Sequence, residues 1–516
     1  MAGGRLEFEF RTGKAGEDAT EFDAERPMRI LILADLRGDA KRSVPLLQRP
    51  PIGIDVDNAE QVLARLETWL SLAIETPEGT PERVQLAFRQ IDDFHPDALF
   101  RHAEAFAGLR ALREEFSRPA SFAHAAAVLG MAVGGSTSAN SASTHSPASP
   151  EESNAATIER LLGRAPSQPV LPSQAIVDRL LREAVAPHIA SADSVAQAQT
   201  QTQAITLLDA LIAGRMRQIL RNPVFQRLEA TWRSIWKLAT ELETGGVLQI
   251  HLLDITRHEL EADLLVPAGN LAESALFNIL CGPDTQGEEG VNWSLLVGDF
   301  TFGTDTADIA LLSSIGALAA DAGAPFLASA GLSLVGCANP GELATPARWS
   351  PLQPETGASW QTLRQSPVAA WIGLALPRLL VRLPYGVAKG AATDPIESFA
   401  FEEMADGRQH ECYLWGNPAY ALAYLAGQSF SEEGRQADVA GRLLIEGLPN
   451  PVYRDANGES AQQPGAEIWL SESAAEALLD CGLMPLLSYR NRDAARFLRW
   501  QSIASPTRGL AGITPD

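Results

Sequence analysis

Asp92, Asp93 and His95 stand within four positions of one another, and carboxylate beside imidazole is the pairing used for general acid–base chemistry. The segment IDDFHPD contains Pro96, however, and an aspartate before a proline-containing helix start is ordinarily a cap. His258-Glu259 opens like half of a zinc-binding H-E-x-x-H helix, but Ala262 occupies the place of the second histidine, so the pair reads as a surface turn. His251 and His258 lie seven apart on different elements and are not expected to share a metal. Gly298-Asp299-Phe300, then Phe302-Gly303, follows an apolar run as a phosphate loop would, yet its glycines are too few and wrongly spaced for a dinucleotide fingerprint. A tight turn carrying Asp299 and two aromatics into an interface between domains is the expectation. Neither G-x-x-x-x-G-K-[ST] nor G-x-S-x-G occurs, and Gly13-Lys14 sits in a polar tail. No catalytic residue, cofactor ligand or metal ligand is assigned, and the sequence predicts no enzymatic activity.

The elements that would position such residues are clearest around Asn222 to Leu253. Asn222 can cap and Pro223 can open a helix. Phe225, Leu228, Trp232, Ile235, Ala239 and Leu242 recur at three- and four-residue steps, the spacing of one buried face. Trp232 and Trp236, one turn apart, belong to that helix rather than to a stacking platform. Gly245-Gly246 is expected to end it in a left-handed turn, with Val247 to Leu253 following as a strand. Met28 to Leu33, MRILIL, is a continuous apolar run of the kind covered on both faces. Arg5 to Phe10 alternates like an edge strand, and VQLAFRQ, ending at Gln90, reads as another strand. A helix follows with Leu99, Ala103, Phe106, Leu109, Leu112 and Phe116 inward. Further on come a strand at Trp293 to Val297, a helix at Asp305 to Ala322 with Ile309, Leu312, Ile315 and Ala319 inward, and a strand at Pro325 to Ala330. That succession implies a parallel right-handed crossover and an α/β core. Trp371 to Leu383 is a further apolar run, and Asn417 caps a helix running from Pro418 to Phe430. Asn457-Gly458 marks a hairpin within Val452 to Leu470, and Leu483 to Tyr489 and Ala494 to Trp500 close the chain as strands.

At 516 residues the chain exceeds one ordinary core, so two or three domains are expected. A net charge of −23, with lysine only at 14, 41, 237 and 389, argues against a nucleic-acid surface. No apolar run approaches the roughly 20 residues that span a bilayer, and the N-terminus lacks the apolar core of a signal peptide, so a cytoplasmic location without membrane insertion is expected. Cys281, Cys337, Cys412 and Cys481 are far apart, which suits reduced thiols better than a disulfide framework.

The helix start at Asn222-Pro223 together with LLVGDFTFGTDTADIALL (295–312), AGAPFLASA (322–330), ALPRLLVRLPYG (375–386), FAFEE (399–403) and YLWGNPAYALA (413–423) resembles the large sheath subunit of type VI secretion systems, the TssC family. The matches run in order from about 205 to about 505. Earlier, MRILILADLRGDAKRSVPLLQRPPIGIDVDNAEQVLARL and the strand followed by IDDFHPD resemble the small sheath subunit, the TssB family.

Head to tail in one chain, the two resemblances imply a fusion: a small-subunit-like region at 1–120, an Ala/Ser/Gly/Pro-rich linker at 121–156, a helical region at 157–204 and a large-subunit-like region at 205–516. A linker of about 36 residues reaches roughly 30 to 36 Å. Short helices are expected at Thr157 to Leu162 and Ser173 to Val185, and a longer one at Ile205 to Leu220. The implied fold is mixed α/β, with mixed sheets flanked by helices and lobes shared between the N-terminal and C-terminal parts. The implied work is mechanical: assembly with copies of itself or other sheath subunits around a hexameric inner-tube protein, from a baseplate, followed by contraction. An AAA+ unfoldase then recycles the sheath; TIERLLGR (157–164) stands where its target would lie, but its residues do not separate such a handle from a plain docking helix, which is the expected reading. The large-subunit family continues past the strand matching NRDAARFLRWQS into a C-terminal arm that pairs with neighbouring protomers, whereas this chain ends at Asp516. The arm is therefore expected to be absent, and a non-polymerising cap, baseplate initiator or regulator is the alternative role.

Overall fold

The computed structural model describes residues 27–75, 81–118, 194–265, 270–282, 292–386, 393–405, 408–434, 438–454 and 457–513. The expected strand at Arg5 to Phe10, the linker at 121–156 and the short helices at 157–162 and 173–185 lie outside the described residues.

Strands β1 (Met28–Ala34), β2 (Ile52–Ile54), β3 (Thr68–Glu75) and β4 (Pro81–Phe88) come from the first part of the chain, with helices α1 (Ala59–Arg65), α2 (Pro96–His102) and α3 (Ala107–Ser117). Helices α4 (Ser194–Leu220) and α5 (Pro223–Glu241) lead into β5 (Leu248–Asp254), α6 (Arg257–Leu264) and α7 (Ala275–Cys281). Then come β6 (Leu295–Phe302), α8 (Thr306–Ala322), β7 (Phe326–Ala330), α9 (Pro354–Gln365) and β8 (Ile372–Leu376). The short strands β9 (Leu379–Leu380) and β10 (Trp415–Gly416) precede α10 (Ala419–Glu433). The chain closes through β11 (Leu444–Ile445), β12 (Val452–Arg454), β13 (Ser460–Gln462), α11 (Glu472–Asp480), β14 (Met484–Ser488) and β15 (Ala495–Phe497).

Among the described residues, nine strands form one mixed sheet in the order β11-β15-β14-β8-β7-β6-β1-β5-β2. Its central strands, from β5 through β14, are parallel, and antiparallel pairs close both rims. The protein is thus α/β, with lobes shared between its two parts. The decisive placement is that of β1, which lies between β5 and β6 although both follow it by more than two hundred residues. Met28 to Ala34 pairs in parallel with Leu248 to Asp254, and Ile30 to Leu33 pairs with Leu295 to Gly298. Apolar side chains on both faces of β1 meet this demand: Ile30, Ile32 and Ala34 enter one core, Leu31 and Leu33 the other.

The helix α5 buries the apolar face read from its spacing, and the Asn222 side chain accepts from the Val224 amide at 2.9 Å. It ends at Glu241 with Leu242 already extended, so Gly245, at φ +152°, shapes the entry to β5 instead of terminating the helix. The helix read across 97–116 is broken at Ala103 by a 3-10 turn, although Leu99, Phe106, Leu109 and Phe116 are buried as expected. The hairpin partner β3 escaped the sequence reading. Its buried Thr68, Leu70, Leu72 and Ile74 alternate with outward residues, and it pairs over eight positions with β4. Gly298-Asp299-Phe300 is not a tight turn: β6 continues through it to Phe302 with a register irregularity between Val297 and Thr301. Gly298 is needed there because a Cβ would run into the Phe326 ring. The Asn457-Gly458 hairpin joins β12 and β13 as read.

Ile32 is fully buried on β1. Ile32→Ala should cost roughly 2 to 5 kcal/mol, measured as a lowered midpoint of chemical denaturation of the whole chain.

Candidate functional site: the junction between the two parts

The residues that follow β1 are fastened to the carboxyl end of β5. Asp254 accepts from the Leu36 amide at 3.1 Å and from Arg42 at 2.9 and 3.0 Å, while Asp35 accepts from Arg42 at 2.5 Å. Arg49 donates to the Asp254 carbonyl at 3.0 Å and to Glu259 at 2.5 Å. Glu259 also completes a capping box with Thr256, so His258-Glu259 lies in the first turn of α6 and not in a surface turn. The lowered pKa of Glu259 reflects hydrogen bonds from Arg49 and Thr256 overriding the upward push of burial. From α5 the Trp232 indole donates to the Leu36 carbonyl at 3.0 Å, which Thr68 also reaches at 2.9 Å. Trp232 is therefore a buried wedge.

A second set of contacts binds the hairpin and helices of the first part. Asp97 accepts from the backbone amides of Glu397 and Ser398 at 3.0 and 2.9 Å. Burial raises the pKa of this carboxyl, but the two amides outweigh it and the net shift is downward. Arg113 pairs with Asp209 at 2.6 Å, and Arg215 with Glu82. The acid and imidazole cluster is structural in a way the sequence did not suggest. His95, not an aspartate, caps α2, its Nδ1 accepting from the Asp97 amide at 3.2 Å. Asp93 accepts from the Arg89 and Gln90 amides one turn earlier.

His95 also sets its ring edge-on to Tyr385, centroids 4.9 Å apart. Tyr385 belongs to a buried charge network that sequence reasoning missed. Arg382 donates to Glu229 at 2.8 Å and to Glu403 at 2.8 and 3.0 Å, while Arg233 donates to Glu229 at 2.8 Å and to the Tyr385 hydroxyl at 2.6 Å. Two arginines and two glutamates balance. Burial alone would raise the Glu229 pKa, but Arg382 and Arg233 bring it below the ordinary value. The signal was present in RLLVRLPYG and FAFEE as charges inside apolar runs, but spacing could not show that they meet.

The carboxyl ends of β1, β6 and β7 open onto a cleft of about 650 Å³ lined by Asp35, Arg227, Thr231, Asp299, Ser329 and Asn417, among others. Asp299 accepts from the Thr231 hydroxyl at 2.5 Å. Burial raises its pKa, Asp35 adds to the rise, and hydrogen bonding from Thr231 and Asn417 does not offset them. Asn417 accepts from the Ala419 amide at 2.9 Å as a cap should and ties the helix to β6 by donating to the Gly298 and Phe300 carbonyls. Farther away, Glu467 accepts from Arg378 at 2.5 Å and pairs with His410 at 2.8 Å. Burial pushes this carboxyl up, but those partners hold it at about 2. None of Cys281, Cys337, Cys412 and Cys481 forms a disulfide. His251 and His258 lie on different elements, β5 and α6. Among the described residues, no three His, Cys, Asp or Glu side chains are grouped to hold a metal ion, and no helix is long and apolar enough to cross a membrane.

A family model for VipB, the EvpB-type tail sheath N-terminal domain, matches residues 202–504. The chain belongs to this tail sheath family. The family model for VipA of type VI secretion systems matches residues 5–121 of the same chain. The VipA match thus contains β1 through α3, and the VipB match contains the strands that flank β1. Among curated relatives, the type VI secretion system sheath protein TssC1 of Pseudomonas aeruginosa is 34% identical over 308 residues, covering 58% of this chain and 61% of the relative. The chain thus spans about three fifths of that relative's length. The matched families are structural sheath proteins.

Two pH responses follow. The folded pKa of Asp299 lies above its ordinary 3.8, so the stability of the protonated form is full below that value and is lost as pH rises through the folded pKa. Asp299→Asn should therefore melt above the parent at pH 7, the gap closing below pH 3.8 in a thermal scan. Glu467 has the opposite sign, contributing roughly 3 kcal/mol above pH 4.5 that is lost as pH falls toward 2. Glu467→Gln should flatten denaturation midpoints across that interval.

Proposed function

We propose that this chain is a type VI secretion sheath protomer in which the small-subunit and large-subunit parts are covalently joined. The region from 1 to 120 supplies the small-subunit part, 121–156 the linker, 157–204 a helical lead-in and 205–516 the large-subunit part. The observation that carries this reading is the position of β1. A strand from the VipA-matching region completes the interior of a sheet whose other central strands come from the VipB-matching region. Two parts that must share a sheet to bury their apolar strands act as one rigid building block.

The work of such a block is association and conformational change, with no catalytic turnover. Copies of the chain, alone or with other sheath subunits, stack in the cytoplasm around a hexameric inner tube from a baseplate, contract to propel it, and are recycled by an AAA+ unfoldase. Covalent joining fixes one-to-one stoichiometry and holds each part near the other at an effective concentration on the order of millimolar.

Negative-stain electron microscopy of the overexpressed full chain tests the proposal. Long hollow tubules are the expected outcome. Monomers or short rings alone would overturn polymerisation and leave a cap, initiator or regulator of a sheath.

A further inference from the structure

The hydrophobic pattern of β1 does not by itself say where along its neighbours the strand must stop. Met28, Ile30, Ile32 and Ala34 face one core, and Leu31 and Leu33 face the other. Side chains alternate with a period of two, so a two-residue slip keeps each on its own face. It would exchange Ile30 for Ile32 and Leu31 for Leu33, like for like. A strand apolar on both faces is thus weakly registered by its pattern, yet its pairing is single: Leu31 stands opposite His251 and Leu296, and Leu33 opposite Leu253 and Gly298.

The face that carries Leu31 and Leu33 is bracketed by charge. It begins with Arg29 and, one step past the strand, ends with Asp35. Arg29 is half-buried, its Nε donating to Gln249 at 2.9 Å and its amide to the Ser294 hydroxyl at 3.1 Å. Asp35 is exposed and accepts from Arg42 at 2.5 Å and from the Gly38 amide at 3.1 Å.

We propose that Arg29 and Asp35 are end stops that fix the register of β1 between β5 and β6, and so determine how the first part of the chain is seated in the second. Advancing the strand by two residues would carry the Arg29 guanidinium into the fully buried place of Leu31. Retreating by two would carry the Asp35 carboxylate into that of Leu33, which is 3% exposed. Each movement strips a charge of its partners and places it in an apolar core, where it is strongly disfavoured. His251 strengthens the first barrier: burial and the nearby Arg29 already hold its pKa down, and the advance would bring the two directly opposite. In the observed register Asp254 also accepts from the Leu36 amide, which a two-residue slip in either direction would carry away from it. The assignment concerns the seating of β1 and does not depend on what the protomer assembles into.

Disulfide trapping in the full chain, with its four native cysteines replaced by alanine, reads the register directly. Ile30→Cys is combined in turn with Leu248→Cys, Ile250→Cys or Leu252→Cys, and closure is scored by the mobility shift on a non-reducing gel. The parent should close with position 250 alone. Arg29→Leu should raise closure with 252 at least severalfold, Asp35→Leu should do so with 248, and Arg29→Lys should restore the parent pattern. Should either leucine variant not fold, as judged by its melting profile, Arg29→Gln and Asp35→Asn are scored in the same way. Closure confined to position 250 in the folded charge-removed variants, or a parent that closes equally with all three, overturns the proposal.

Discussion

A parallel strand with apolar side chains on both faces has no stable place at a surface. Its amides and carbonyls need partners on both edges and its side chains need cover above and below. In this protein that requirement falls on Met28 to Ala34, which hydrogen-bonds to β5 on one side and β6 on the other. The sheet therefore cannot be divided along the sequence. Removing the first part would leave β5 and β6 facing an empty slot, and removing the second would leave a strand with no neighbours. Trp232, Arg42, Arg49 and the Asp97 contacts make sense as fastenings around that insertion.

The buried network of Glu229, Arg233, Arg382, Glu403 and Tyr385 fits the same design from the other side. Buried ion pairs are weak evidence for stability, because desolvation consumes most of the attraction. Their value lies in geometry, since a guanidinium shared between two carboxylates tolerates few arrangements. This network joins α5 to the segments around Arg382 and Glu403, while His95 of the first part rests on Tyr385. Asp299 stands apart, since its raised pKa marks a carboxyl that its surroundings favour in neutral form.

Much of the architecture could be read from periodicity. MRILIL announced a strand covered on both faces, the apolar stripe of α5 was right from Phe225 to Ala239, with Leu242 buried just past the helix end, and the β6–α8–β7 crossover followed from its spacing. What failed did so for local reasons. The β3 strand carries a conventional alternation hidden behind a helix and a turn, and the glycine at 298 signalled close approach to Phe326, not a bend. His95 took the capping role at α2 expected of aspartate, its Nδ1 accepting from the Asp97 amide, while Asp93 completes a capping box on the preceding 3-10 turn. The junction was legible in outline only. Motifs told which parts meet, but the pairings of Arg42 with Asp254 and Arg382 with Glu403 link positions too distant for spacing to connect.

The order of strands in the sheet also bears on synthesis. The ribosome emits Met28 to Ala34 before either of its neighbours exists, and Leu248 follows only after more than two hundred further residues. At about 5 to 20 residues per second, the nascent strand waits on the order of ten to forty seconds with its apolar faces uncovered. The seven residues of this interior strand therefore stay open to a chaperone on the emerging polypeptide throughout that interval.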